Sequence, residues 1–223
     1  MELTRENLIK LDKLLNEAYG ERIYKPEPSS ALDILIRTVL TQATNDKNAY
    51  KAFDALKKTF PTWEEVLDAS IEDIAIPLKI GGLAYQKAQR IKGILQKLKD
   101  ENHELSLDFL KDKDLEDAFK YLTGFNGVGP KTAACTLLFA WCMNVFPVDT
   151  HIHRISKRIG LVNEKATAVQ TQKAWQDAIP LGRAYSLHVG LIEHGRKVCK
   201  ARNPLCHECN LTEVCDYFLN SGE

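Results

Sequence analysis

The chain has 223 residues, room for one large domain or two modest ones with a full core, and its 27% charged and 44% hydrophobic residues are ordinary for a soluble globular protein. Basic and acidic residues number 30 each, so the formal charge is zero and composition by itself argues for no polyanionic partner. Met1 to Glu6 opens directly into a polar helical pattern with no export signal, and no run approaches a membrane span, so a cytoplasmic protein with no membrane partner is expected.

Periodicity is helical nearly throughout and strand alternation is missing, which predicts an all-α fold with helices of about 10–16 residues and short connections. Gly20 to Ser30, with Pro26 and Pro28, reads as a linker after an N-terminal helix. Ser30-x-x-Asp33 is a capping box, and Leu32, Leu35, Ile36, Val39 and Leu40 follow it in a helical stripe. Thr62-x-x-Glu65 and Ser70-x-x-Asp73 mark two further helix starts, with Pro61 and Pro77 as boundaries. After the Gly81–Gly82 break the stripe resumes at Ile91, Ile94, Leu95 and Leu98. Charge is unevenly spread. Asp100 to Asp117 holds eight acids against Lys111 and Lys113, a balance of −6, whereas Arg183 to Arg202 holds five basic residues against Glu193, a balance of +4. A neutral chain can therefore present one basic face.

Leu115, Phe119 and Leu122 form a short stripe, Gly124-Phe125-Asn126-Gly127-Val128-Gly129 cannot continue it, and Pro130 opens a new helix with Ala133, Ala134, Leu137, Leu138 and Trp141. This is helix, tight hairpin, helix. Gly127 and Gly129 permit positive φ and let a phosphate approach the backbone, and Pro130 suits the first helical position. The new helix then turns its free amides and positive dipole end outward, which favours an anion. Lys131 sits at that pole, where its protonated form is disfavoured, and this is one way an amine becomes a nucleophile. Cys135 and Cys142 fall on the apolar side of the predicted helix and read as small buried hydrophobes. Asp149, eighteen residues beyond Lys131, follows an apolar stretch and is suited both to capping the basic helix with Arg154 and Arg158 and to acid–base work.

Near the C-terminus, Cys199, Cys206, Cys209 and Cys215 fall within seventeen residues in the spacing C-x6-C-x2-C-x5-C, among Lys200, Arg202, Asn203, Pro204, His207 and Glu208. So polar a segment has no core of its own, and thiolate ligation would hold it together. Four thiolates suit tetrahedral zinc as well as an iron–sulfur cluster, and spacing does not choose between them.

Taken together, Phe125 to Ala133, Val148-Asp149-Thr150-His151-Ile152 and the four-cysteine run resemble the endonuclease III branch of the helix-hairpin-helix DNA glycosylases, from about Leu32 to Cys215. The resemblance implies two helical domains flanking a DNA-binding cleft: a six-helix barrel with the hairpin over residues 31–142, and an iron–sulfur domain made of 1–30 and 143–223. It implies a monomeric base-excision-repair enzyme acting on double-stranded DNA with a damaged base or abasic site, located at the nucleoid if the source is prokaryotic. Lys131 would attack C1′ of an extruded nucleotide and permit β-elimination, and Asp149 would take the lysine proton or stabilise the sugar cation. Gly127, Val128 and Gly129 would grip a phosphate, Gln42 would fill the vacated space, and Leu83 would be the wedge. The four cysteines would bind a 4Fe–4S cluster that shapes the loop carrying Lys200 and Arg202 towards phosphate. The implied substrates are oxidised or saturated pyrimidines.

Asn126 stands where the family most often has proline, a replacement that keeps turn chemistry. Arg37 stands where the related mismatch adenine glycosylases carry a glutamate, and those enzymes lack the attacking lysine, so that branch is disfavoured. Two alternatives remain: a glycosylase for another lesion that uses Asp149 and water without lyase action, and a non-catalytic DNA-binding module with structural zinc.

Overall fold

Side-chain caps set where most helices of this chain begin. The computed structural model describes residues 4–25, 29–102 and 104–220, so Pro26 and Pro28 of the expected linker lie outside the described residues. The helices are α1 (Arg5–Tyr19), α2 (Ala31–Leu40), α3 (Asp46–Thr59), α4 (Trp63–Asp68), α5 (Ile71–Leu78), α6 (Ala84–Asn102), α7 (Leu115–Thr123), α8 (Pro130–Trp141), α9 (Thr150–Arg158), α10 (Ala168–Ala178), α11 (Ala184–Lys197) and α12 (Asp216–Asn220). Among the described residues there is no strand, and the fold is all-α as expected. Lengths run from five residues in α12 to nineteen in α6, a wider spread than the periodicity suggested.

Ser30 with Asp33 and Thr62 with Glu65 form the full reciprocal boxes read from the sequence. Ser70 caps α5, but Asp73 takes the Ser70 hydroxyl at 2.6 Å instead of its amide. Pro77 is not a boundary, because α5 runs one residue past it. A proline so near a helix end forfeits one intrahelical bond and the helix stops directly afterwards in a 3₁₀ turn at Lys79–Gly81, which limits the penalty. Cys135 is buried in α8 as expected, whereas Cys142 lies beyond the helix, half-buried, at φ +53°. A left-handed residue just past the last turn ends a helix, which removes Cys142 from the apolar stripe.

Two compact units divide the chain, one of residues 27–140 and one of 1–26 with 141–223. In the first, α5 packs along α6 and α3 packs on both α2 and α5. Leu32, Leu35, Ile36, Val39 and Leu40 of α2 and Ile91, Leu95 and Leu98 of α6 have no exposed surface, each contributing roughly 1.5–3 kcal/mol by burial. Those are the stripes legible in the sequence. In the second unit α11 packs on α1 and α9. Gly190 makes the first contact close, since a Cβ there would meet Leu15 Cβ at 3.2 Å. Trp175 of α10 stacks on Phe146 at 4.2 Å and donates its indole N–H to Ser156 Oγ at 2.8 Å.

Candidate functional site

In the unit of residues 27–140, α7 ends at Thr123 and the chain reverses before α8. Phe125 is 3% exposed, meets Tyr121 edge-on at 5.4 Å, and anchors the hairpin in the core. The Val128 N–H donates to Phe125 O at 3.1 Å and closes the turn. Val128 is therefore turned inward, at 4% exposure, and its amide is used within the hairpin. The two glycines also differ from each other. Gly127 has φ +82°, and a Cβ there would lie 2.7 Å from Arg90 Cδ. Gly129 does not adopt positive φ, and a Cβ there would meet nothing within 4 Å, so its lack of a side chain leaves open backbone rather than relieving strain.

Pro130 opens α8, and Lys131 is its second residue, half-buried, in the first turn where helical amides lack intrahelical acceptors. No hydrogen bond or ion pair engages the Lys131 amine among the described residues.

Two further expected residues lie on loops of this unit with unusual backbone. Leu83 has φ +49° directly after Gly82 at φ +65°, and its side chain is 51% exposed. A large apolar residue held left-handed and exposed is a costly arrangement, of the kind found at functional sites. Gln42 precedes Ala43, which has φ +54°. Its amide donates to Gly127 O at 3.0 Å and Thr132 Oγ1 at 3.2 Å, and its Oε1 accepts from Arg90 at 2.6 Å. Gln42 is thus joined to the hairpin, a link that 85 residues of separation conceal in the sequence.

In the other unit Asp149 caps α9, its Oδ1 accepting from Ile152 N–H at 2.8 Å. Capping occupies one carboxylate oxygen and leaves the second for other work. The same helix holds the cysteine loop: Arg154 donates to Cys199 O at 2.7 Å, and Arg158 to Lys200 O at 2.7 Å and Ala201 O at 3.1 Å. The side chains of Lys200 and Arg202 are exposed.

Cys199, Cys206, Cys209 and Cys215 form no disulfide and line one cavity together with Arg158, His194 and the apolar Leu205 and Leu211. Burial pushes the Cys209 thiol up to about 11, with Cys215, Cys199 and Cys206 adding to the rise and the Leu211 N–H opposing it. Four sulfurs close enough to oppose one another's charge need a bound cation to become thiolates together. Donors already point at them: Arg158 lies 3.2 Å from Cys199 Sγ and Leu211 N 3.4 Å from Cys209 Sγ. The four thiols line the same cavity and supply four soft donors, one for each iron of a four-iron cluster. The donor set fits a cluster.

His194 and Arg158 also border the thiols, and no motif in the sequence marks them. His194 has its Nε2 3.8 Å from Cys209 Sγ and its Nδ1 2.8 Å from the Tyr19 hydroxyl, and burial, then the Arg154 charge, holds it down at about 4. Its place on the stripe with Leu187 and Leu191 was the available signal.

Comparison with known proteins agrees with this geometry. Residues 36–181 match the family model described as "HhH-GPD superfamily base excision DNA repair protein", and residues 199–215 match "Iron-sulfur binding domain of endonuclease III". A protein of Arabidopsis thaliana described as a DNA glycosylase is 39% identical over 180 residues, which are 81% of this chain and 61% of that one. The chain thus spans less than two thirds of that relative. Endonuclease III of Thermotoga maritima is 34% identical over 190 residues, 85% of this chain and 84% of that one. A trapped endonuclease III–DNA covalent intermediate shares the fold, with a TM-score of 0.82 at 23% identity over 97% of both chains. The cofactor is a 4Fe–4S cluster, which decides between the two metals that spacing left open.

Proposed function

The chain belongs to the HhH-GPD superfamily and is an endonuclease III-like base-excision-repair glycosylase, and from that premise we propose that it also cleaves the strand as an abasic-site lyase, releasing oxidised pyrimidines from double-stranded DNA as a monomer. The observation that carries this reading is the position of Lys131, an amine in the first turn of α8 directly after the glycine hairpin. Its Nζ forms a bond to C1′ of an extruded nucleotide as the bond from C1′ to the base breaks, and the base leaves with the electron pair and a proton. Ring opening gives a Schiff base, which acidifies the neighbouring C2′ proton, and its loss expels the 3′ phosphate. Asp149 takes up the lysine proton or offsets the positive charge that grows on the sugar. One carboxylate oxygen remains for this after capping.

Gly127, Gly129 and the first-turn amides of α8 hold a backbone phosphate, helped by the positive end of the helix dipole. Gln42 and Leu83 occupy the space that the extruded nucleotide leaves, and their left-handed loops support that role. Cys199, Cys206, Cys209 and Cys215 hold the cluster, which supplies the cross-link that fixes the loop. Arg154 and Arg158 grip the loop carbonyls so that Lys200 and Arg202 meet phosphate.

A panel of duplexes, each with one modified base, assayed with and without alkaline strand scission, tests the reading. Breaks at oxidised pyrimidines without alkali are expected. Base release that yields breaks only with alkali removes the lyase, and release from purine lesions alone removes the substrate class.

A further inference from the structure

Lys87 of α6 stands on the apolar stripe of Ile91, Ile94, Leu95 and Leu98 and is 1% exposed. Burying an ammonium is unfavourable, and desolvation, with Arg90 beside it, lowers its affinity for the proton. Its Nζ donates to Leu40 O and to Gly81 O, both at 2.8 Å. These acceptors are carbonyls at the last residue of α2 and the last residue of the Lys79–Gly81 turn, where exposed carbonyls gather negative charge. The Lys87 main-chain N–H also donates to Leu83 O at 3.0 Å. One side chain therefore ties the segment leading to Gln42 to the segment leading to Leu83, and its backbone brackets the left-handed Gly82–Leu83 pair.

Arg90 stands three residues further along α6. It donates to Gln42 Oε1 at 2.6 Å and packs its stem beneath Gly127. A leucine at position 87 would fill the stripe without a buried charge, and what lysine adds is the two bonds to loop carbonyls.

We propose that Lys87, with Arg90, is a positioning pair that fixes the spacing between Gln42 and Leu83 and joins both to the glycine hairpin, so that the two side chains enter the duplex together. The proposal rests on the reading of Gln42 and Leu83 as the residues that replace the extruded nucleotide. Left-handed loops keep such a spacing only if something holds them, and Lys87 holds both. Neither residue touches the reacting sugar.

The test compares the wild-type holoprotein with Lys87→Met, which keeps the stem and loses the donors, Lys87→Arg, which keeps a cation with donors, and Arg90→Met. The probe is a duplex with 2-aminopurine opposite a tetrahydrofuran abasic-site analogue, whose fluorescence rises when side-chain insertion unstacks the probe. Single-turnover base release and affinity for undamaged duplex are measured alongside. Lys87→Met is expected to bind undamaged duplex within about twofold of wild type yet release base at least about tenfold more slowly, as angstrom-scale misplacement does. Its fluorescence rise shrinks, and Lys87→Arg recovers part of both signals. Should Lys87→Met not fold, as judged by circular dichroism and visible absorption, Arg90→Met carries the same split, since Arg90 is only half-buried. Folded variants with wild-type fluorescence and rate overturn the proposal, as does a parallel fall of affinity, rate and thermal stability. A wild-type protein that neither raises the fluorescence nor releases any base overturns the functional reading itself.

Discussion

The two hairpin glycines have opposite structural requirements, which makes substitution at each a quantitative test. Gly127→Ala places a residue with a Cβ at φ +82°, a left-handed conformation that costs roughly 1–2 kcal/mol. The new Cβ would lie 2.7, 2.9 and 3.1 Å from Cδ, Nε and Cγ of Arg90, so the arginine stem must move. Movement breaks the 2.6 Å bond from Arg90 to Gln42, a charge-assisted hydrogen bond worth about 1.5–3 kcal/mol. The sum is about 2.5–5 kcal/mol, and in a chain of this size each kcal/mol lowers the melting temperature by roughly 2–4 °C. Gly129→Ala meets nothing within 4 Å and should stay within about 0.5 kcal/mol of wild type. Thermal unfolding of the holoproteins, followed by circular dichroism, measures both. In an Arg90→Ala background the clash and the lost bond disappear, so Gly127→Ala should then cost only its backbone share, about 1–2 kcal/mol. Equal costs for the two glycines, or a Gly127→Ala cost that ignores Arg90→Ala, would refute this reasoning.

Other consequences follow from the second unit. Ser156→Ala removes the acceptor of the fully buried Trp175 N–H, and chemical denaturation should record a loss of about 1–3 kcal/mol, whereas an unchanged midpoint would mean the bond is dispensable. The hydrogen bond from Lys197, followed by the Arg22 charge, holds Glu193 below its ordinary 4.5. A carboxylate depressed in the fold contributes stability that is complete above the unfolded value and is lost as pH falls through the folded one. Glu193→Gln should therefore cost about 1 kcal/mol or less at neutral pH and flatten the acid limb of the stability profile, and a curve parallel to wild type would contradict that. Cys209→Ser should strip the protein of its brown charge-transfer absorption and most of its iron, and full iron content with an unaltered spectrum would remove Cys209 from the ligand set.

Much of the frame was legible because it rests on local rules. Ser30 with Asp33 and Thr62 with Glu65 cap helices as read, and the stripes of α2 and α6 are buried as read. Sequence patterns mislead where the surrounding structure decides. Pro77 is carried inside α5 because the helix ends one residue later, and Cys142 leaves α8 because its backbone turns left-handed. Gly127 and Gly129 look alike in sequence, and the left-handed backbone of Gly127 and its contact with Arg90, from a different helix, tell them apart. Lys87 shows this most clearly. Its position four residues before Ile91 placed it on the buried stripe, but a lysine among glutamine and arginine reads as solvated surface until its carbonyl partners 6 and 47 residues away are known. In sequence Asp149 suits both a cap and an acid–base group, and the structure gives it the cap.

The central claim is that the Lys131 amine bonds to the sugar, and borohydride trapping on duplex DNA with an abasic site tests it directly. Reduction should fix one covalent complex, with the deoxyribose remnant mapped by peptide mass spectrometry to Lys131 and absent in Lys131→Ala. A protein that binds the abasic duplex with Lys131 intact yet yields no trapped complex, or one attached through a different lysine, contradicts the account.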